Sequence, residues 1–90
     1  MASINLYEVS GINNLSGFQT LTEIAGDLTI RECEDLESLS GLENIEVISG
    51  EVEIYDNKNL PTSALSVLST IDIQGPCTYR SWGGYTRSCF

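Results

Sequence analysis

The chain repeats itself with a period of 24 residues, and this period limits the folds that are open to it. Residues 26–49 align without a gap on residues 2–25, and GEVEIYDNKNL at 50–60 aligns on the start of both. Such a period is typical of a solenoid, in which each coil buries its apolar side only against neighbouring coils. The matching apolar sets are Ile4, Leu28 and Val52; Leu6, Ile30 and Ile54; and Ile12, Leu36 and Leu60.

Each repeat opens on a small residue, Ala2, Gly26 or Gly50, followed by alternating polar and apolar residues. The alternation predicts short strands with one buried face at 3–7, 27–31 and 51–55. The segment PTSALSVL predicts one short helix at 61–68. The alternation TIDIQ then predicts a fourth strand at 70–74 on a shortened coil. The predicted fold is mainly β, a short solenoid with coils at 2–25, 26–49, 50–68 and 69–74.

Residues 75–90 have no repeat register and are predicted to cap a single domain of residues 1–90. This segment contains Cys77 and Cys89 among several aromatic residues. A disulfide between them would stabilise the fold by about 3 kcal/mol and would indicate an oxidising compartment. Two free thiols in a cytosolic protein are the alternative, since spacing alone does not fix the pairing.

The first predicted coil has an apolar side that no earlier repeat in this sequence covers. A terminal coil with such a side normally needs a capping repeat. We therefore expect either self-association through this end, giving a homo-oligomer, or cover by further repeats of a longer protein. The residues expected to be bare are Ile4, Leu6, Ile12, Leu15, Phe18 and Leu21.

The net charge of −9 excludes some partners. All 13 carboxylates lie at or before Asp72, and no basic stripe is present, so nucleic acid is not an expected partner. A basic ligand would be attracted, although the acids also serve solubility alone. No segment approaches the roughly 20 apolar residues that span a bilayer, and no signal peptide is recognised at the start.

Catalysis is not predicted, because the chain has no histidine and no serine with a plausible base partner. The acids Glu32, Glu34 and Asp35 fall on a predicted corner loop, and a solvated loop offers no pocket for acid–base chemistry. With the oxygens of the next coil they resemble calcium ligands, but neither the EF-hand loop nor the glycine–aspartate nonapeptide is present. No metal site and no cofactor are predicted.

Cys33 and Asn57 directly follow predicted strands at equivalent places in their repeats. In leucine-rich repeats this slot takes asparagine or cysteine, whose polar atoms satisfy backbone groups at the bend. Both residues are therefore predicted to be structural corner residues.

The pattern G-D-L-T-I…L-x-S-L-S-G-L-x-x-I-x-x-I-x-G at 26–50 resembles the receptor L-domain type of leucine-rich repeat. Leu36 and Leu60 come three residues after Cys33 and Asn57, rather than two, which favours this type. The resemblance covers residues 2–74. It implies a right-handed β-solenoid that binds through its strand sheet or its loops, as in the L domains of insulin and epidermal growth factor receptors and in fungal and bacterial surface proteins.

The outward residues of the predicted strands offer a candidate binding face. Stacked strands lie about 4.8 Å apart, which places Arg31 between Tyr7 and Tyr55, where a guanidinium lies along a ring face. Glu53 and Asp72 rim this trio, and Gln74 extends its row. We interpret Tyr7, Arg31, Tyr55, Glu53 and Asp72 as a patch that binds a protein or peptide, including a basic one. The alternative is that the trio only stabilises the sheet.

The favoured function is a non-catalytic recognition module of a cell-surface or secreted protein, in keeping with the resemblance. Two alternatives stay open at this point. One is a structural element that assembles through its uncapped first coil. The other is a small intracellular protein of unrelated role.

Overall fold

Short strands in two sheets dominate the computed structural model, which describes residues 3–90. Ala2, which opens the first predicted coil, lies outside the described residues. Within residues 3–90 the helical content is two 3₁₀ helices, Ser16–Phe18 and Thr62–Thr70, so the protein is mainly β. The strands are β1 (Ile4–Tyr7), β2 (Glu23–Ile24), β3 (Leu28–Arg31), β4 (Val47–Ile48), β5 (Val52–Tyr55), β6 (Asp72–Ile73), β7 (Cys77–Arg80) and β8 (Thr86–Ser88).

The larger sheet has the order β1-β3-β5-β7-β8, and the smaller sheet has the order β2-β4-β6. All neighbouring strands are parallel except β7 and β8. Ile4 lies opposite Leu28, and Leu28 lies opposite Val52, so the sequence period becomes the register of the sheet. In β3 and β5 the first and third side chains are buried. They form a core between the two sheets together with the buried leucines of the connecting segments.

The fourth strand of the larger sheet is β7, with Cys77 opposite Val52. The prediction of this strand at 70–74 is therefore wrong, as are the short coils at 50–68 and 69–74. Asp72 and Ile73 form β6 of the smaller sheet, where Asp72 lies opposite Val47. The third repeat is therefore not shortened, because its chain passes through β6 of the smaller sheet before it returns to the larger one. Residues 77–80 thus continue the repeat, and only the segment after them forms the cap.

A column of glycines explains the small residue that opens the second and third repeats. The Gly50 N–H donates to the Gly26 carbonyl at 2.9 Å, and the Gly75 N–H donates to the Gly50 carbonyl at 3.1 Å. A Cβ on Gly50 would lie only 2.7 Å from the Gly26 oxygen. Only glycine allows the backbones to approach so closely, and Gly75 marks the true start of the next strand segment.

The helix predicted at 61–68 is present as the 3₁₀ helix Thr62–Thr70. Its buried side chains follow a spacing of three residues, in Leu65, Leu68 and Ile71 directly after it. A 3₁₀ helix has three residues per turn, so this spacing places all three on one side, facing the core.

The C-terminal end of the larger sheet is closed by β8, which pairs antiparallel with β7. The predicted disulfide between Cys77 and Cys89 is present, with 5.4 Å between the two Cα atoms. Cys89 is buried, and the guanidinium of Arg87 lies 5.5 Å from the ring centre of the buried Tyr79. The hairpin therefore covers this end of the core.

The opposite end is more open, but less so than the sequence predicted. Leu15 is only 2% exposed, because its side chain packs into the core. Its N–H donates to the Ser40 carbonyl of the second repeat at 2.7 Å, which holds the backbone at this place. Ile4, Phe18 and Leu21 are half-buried against that core. They line a groove of about 250 Å³ at this end of the molecule.

Candidate functional site

The outward face of the larger sheet carries two rows of side chains, one residue from each parallel strand. Alternation along a strand points successive side chains to opposite faces, and the register of the sheet aligns those that point outward. One row consists of Asn5, Thr29, Glu53 and Thr78. The other, which we call the Tyr–Arg row, consists of Tyr7, Arg31, Tyr55 and Arg80.

Tyr55 is the centre of the Tyr–Arg row. The Cζ atoms of Arg31 and Arg80 each lie 4.9 Å from the centre of its ring. A guanidinium within about 6 Å of an aromatic ring centre is attracted to the ring face. The sequence placed Arg31 between two tyrosines, and the structure adds Arg80, so that Tyr55 lies between two arginines. Tyr7, at the end of the row, is 60% exposed.

Arg80 is held in place by an ion pair with Asp56. Its Nη2 donates to Asp56 Oδ2 at 2.6 Å, and its Nε donates to Asp56 Oδ1 at 3.2 Å. This hydrogen bonding to Asp56 raises the pKa of Arg80 above its ordinary value. Two parallel bonds fix the guanidinium plane, and so they also fix its position over Tyr55.

An acidic residue with a left-handed backbone conformation follows each of the strands β1, β3 and β5 of the larger sheet. Glu8, Glu32 and Asp56 have φ values of 56°, 55° and 59°. Each comes directly after the Tyr–Arg row residue of its strand, so the turn stacks three carboxylates at one edge of the sheet.

These acids line a cleft of about 430 Å³ together with Glu34 and Trp82. Trp82 lies in the turn between β7 and β8 and is 59% exposed. Trp82 belongs to the segment predicted to form the cap and to no predicted site. The register of β7 would have identified it, because β7 ends at Arg80, two residues before Trp82, and so brings Trp82 beside these acids.

Of the residues predicted to form the patch, Tyr7, Arg31, Tyr55 and Glu53 share the outward face, and Asp72 does not. Asp72 lies on β6 of the smaller sheet, where its N–H donates to the Glu46 carbonyl at 2.9 Å. The place expected for Asp72 beside Glu53 belongs to Thr78, and the place expected for Gln74 belongs to Arg80. The cause is the misplaced fourth strand described above.

Cys33 and Asn57 lie inside the molecule at successive bends. The Cys33 N–H donates to Asn57 Oδ1 at 2.9 Å, and Asn57 Nδ2 donates to the Ile30 carbonyl at 3.1 Å. The Cys33 thiol lies 3.5 Å from the carbonyls of Leu6 and Arg31. Asn57 is 5% exposed and Cys33 is fully buried. Their polar atoms therefore bond backbone groups of neighbouring repeats.

Within residues 3–90, no group of three or more histidine, cysteine, aspartate or glutamate side chains is placed to hold a metal ion. No helix in the same residues has the length and apolar character needed to cross a membrane.

Residues 3–77 match the family model described as Receptor L domain. The matched region runs from the residue before β1 to the first residue of β7, and it confirms the resemblance found in the sequence. Neither the curated proteins nor the solved structures include a significant match to the chain.

Proposed function

The chain belongs to the receptor L domain family, and on that basis we propose that it is a recognition module that binds a protein or peptide through the outward face of its larger sheet. Receptor L domains are non-catalytic, ligand-binding domains from the extracellular parts of cell-surface receptors. We propose the same setting for this chain, in a cell-surface or secreted protein. The disulfide between Cys77 and Cys89 supports an oxidising compartment.

The observation that carries the proposal is the position of Tyr55 between two arginines on an open sheet face. Tyrosine and arginine are enriched among the residues that dominate binding energy at interfaces. The ion pair with Asp56 orders Arg80 before any partner arrives. A partner then loses less free energy to ordering of side chains on binding.

The charges around the row favour a basic partner. Glu53 lies beside the row, and the carboxylates of Glu8 and Glu32 line the cleft at its edge. The exposed indole of Trp82 in the same cleft offers a ring face to a cation. We propose that a basic segment lies across the row and places a lysine or arginine side chain in the cleft.

Selection of displayed random peptides on the immobilised protein tests this function. Selected peptides should be enriched in lysine and arginine. Tyr55→Ala should weaken their binding about tenfold or more, which corresponds to about 1.4 kcal/mol. Asp72→Asn is the matched control, since it changes an exposed residue of the other sheet and should leave affinity unchanged. Equal affinity of Tyr55→Ala and the unmodified protein, with unfolding midpoints preserved, would remove the patch.

We also propose that successive repeats wind as a right-handed β-solenoid. The support is the strict alternation of strands between the sheets, with odd-numbered strands in one and even-numbered strands in the other up to β7. Connections between parallel strands of one sheet are right-handed in about 98% of cases. A crystal structure with left-handed connections from β1 to β3 would contradict the proposal.

The groove at the open end supports a second candidate, assembly with another copy or with further repeats. Ile4, Phe18 and Leu21 leave apolar surface beside the free edge of β1. Sedimentation equilibrium of the purified protein separates the two functions. A monomeric mass at all concentrations, the same for the unmodified protein and for Phe18→Glu, would count against self-assembly. It would leave the proposal of recognition by the sheet face intact.

A further inference from the structure

We propose that Asn14 is an acceptor site for an N-linked glycan. Asn14, Leu15 and Ser16 form the acceptor pattern Asn-x-Ser with a residue other than proline in the middle. The pattern lies where the turn after β1 meets the first 3₁₀ helix, which begins at Ser16, and both Asn14 and Ser16 are exposed. The site is separate from the Tyr–Arg row and does not depend on what that row binds.

The amide of Asn14 uses only its oxygen in the fold. Asn14 Oδ1 accepts a hydrogen bond from the Ser16 N–H at 2.9 Å. Its Nδ2, the atom that carries the sugar in an N-glycan, donates to no group within residues 3–90. A sugar on Nδ2 therefore leaves the turn and its hydrogen bond unchanged.

The second repeat demonstrates that the turn needs no amide nitrogen. Ser38 occupies the place equivalent to Asn14, and its Oγ accepts from the Ser40 N–H at 3.2 Å. A side-chain oxygen is thus sufficient at this position. The nitrogen that distinguishes Asn14 from Ser38 has no structural partner to lose.

Other asparagines of the chain use the same nitrogen to join repeats. The Nδ2 atoms of Asn44, Asn57 and Asn59 donate to backbone carbonyls of the preceding repeat, at 2.7, 3.1 and 2.7 Å. None of these three residues is followed by the x-Ser or x-Thr pattern. The acceptor pattern thus coincides with the asparagine whose nitrogen the fold leaves available.

The surroundings of the turn have room for a large substituent. Asn13, Ser16 and Gly17 are exposed, and a Cβ on Gly17 would meet no atom within 4 Å. The backbone around Asn14 bonds to residues 37–40, which belong to neither sheet. A glycan at Asn14 therefore projects into solvent from a connecting segment.

The modification is a glycosyl transfer from an oligosaccharide carried on a lipid diphosphate. Asn14 Nδ2 forms a bond to C1 of the first sugar, and the bond from C1 to the diphosphate oxygen breaks. The electron pair of that bond leaves with the lipid diphosphate, and Nδ2 gives up one proton. The transfer takes place in the secretory compartment, where the disulfide between Cys77 and Cys89 also forms.

Translation of the full chain behind a secretory signal, in the presence of microsomes, tests the site. Only protease-protected chains are analysed, because protection proves that they reached the lumen. They should migrate as one glycosylated species that peptide N-glycosidase returns to the unmodified mass. Asn14→Ser and Ser16→Ala should abolish the shift completely, whereas Asn13→Gln, a change at the neighbouring exposed asparagine, should keep it.

Asn14→Ser also guards against misfolding, because it reproduces the turn of the second repeat. The purified variant should unfold at the same urea concentration as the unmodified chain made without glycosylation. Protected chains of the unmodified sequence that carry no glycan would overturn the proposal. A shift that persists in Asn14→Ser would overturn it as well. Neither result affects the peptide-binding test, which uses unglycosylated protein.

Discussion

Replacing Asn57 by alanine should destabilise the protein more than any exposed polar substitution. The side chain of Asn57 accepts from the Cys33 N–H at 2.9 Å and donates to the Ile30 carbonyl at 3.1 Å. At 5% exposure, no water replaces it without opening the bend. Alanine therefore leaves the Cys33 N–H without a partner inside the molecule and removes a second hydrogen bond from the Ile30 carbonyl, which stays in the ladder between β3 and β5.

The magnitude follows from one orphaned donor and one lost hydrogen bond. A buried polar group without a partner costs about 1–3 kcal/mol and a lost hydrogen bond about 0.5–1.5 kcal/mol, so together they lower the free energy of unfolding by about 1.5–4.5 kcal/mol. The total for a small domain is about 5–15 kcal/mol. With a urea m-value of about 1.5 kcal/mol/M, a loss of about 3 kcal/mol moves the unfolding midpoint down by about 2 M.

Urea unfolding followed by circular dichroism measures this shift, and Asn59→Ala is the matched control. Asn59 Nδ2 donates to the Glu34 carbonyl at 2.7 Å, which is the same bond between repeats, but at an exposed site. Its loss should change stability by about 0.5 kcal/mol or less, since water takes over the bond. Equal midpoints for Asn57→Ala and Asn59→Ala would refute the argument that burial of the corner makes it structural.

Other predictions follow from the cap, the glycine column and one exposed carboxylate. Reducing the disulfide should lower the free energy of unfolding by about 3 kcal/mol in urea titrations; an unchanged midpoint after confirmed reduction would contradict this. Gly50→Ala should cost about 1–3 kcal/mol by overpacking, while Gly17→Ala, with open space around it, should be nearly neutral in the same titration. The Gly41 N–H, 2.6 Å from Glu43 Oε1, lowers the pKa of Glu43. That carboxylate stabilises the fold above its ordinary pKa, and the contribution disappears as pH falls through the depressed value, so Glu43→Gln should flatten the acid limb of the stability profile.

Much of the fold could be predicted because the repeat copies its own burial pattern. Leu28 and Ile30 alternate with polar residues and recur 24 residues later as Val52 and Ile54, so a pairing shifted by one residue would turn polar side chains toward the core. The same regularity located Tyr7, Arg31 and Tyr55 on one face. The cysteine and asparagine at the bends could likewise be assigned by their place in the period.

The fourth strand could not be placed by local pattern. Residues 70–74 and 77–80 both alternate, and Pro76 with Cys77 hides the likeness of GPCTYR to GDLTIR and GEVEIY. Which of the two segments pairs with β5 depends on the number of residues in the third repeat. That number is set by the length of the 3₁₀ helix and by the hydrogen bond between Gly75 and Gly50. The error moved Asp72 into the candidate site and left Arg80 and Trp82 out of it.

The sequence by itself therefore determined the period, the register of β1, β3 and β5, and the core. It could do so because the apolar residues that become buried recur every 24 residues along the chain. Only the tertiary structure decided what closes the sheet and what surrounds Tyr55. Those features arise where the repeat ends: Arg80 reaches its place through β7, and Asp56 fixes it from the turn that follows the neighbouring strand β5. Contacts between residues that follow no common period leave no pattern along the chain, so they emerge only when packing brings the segments together.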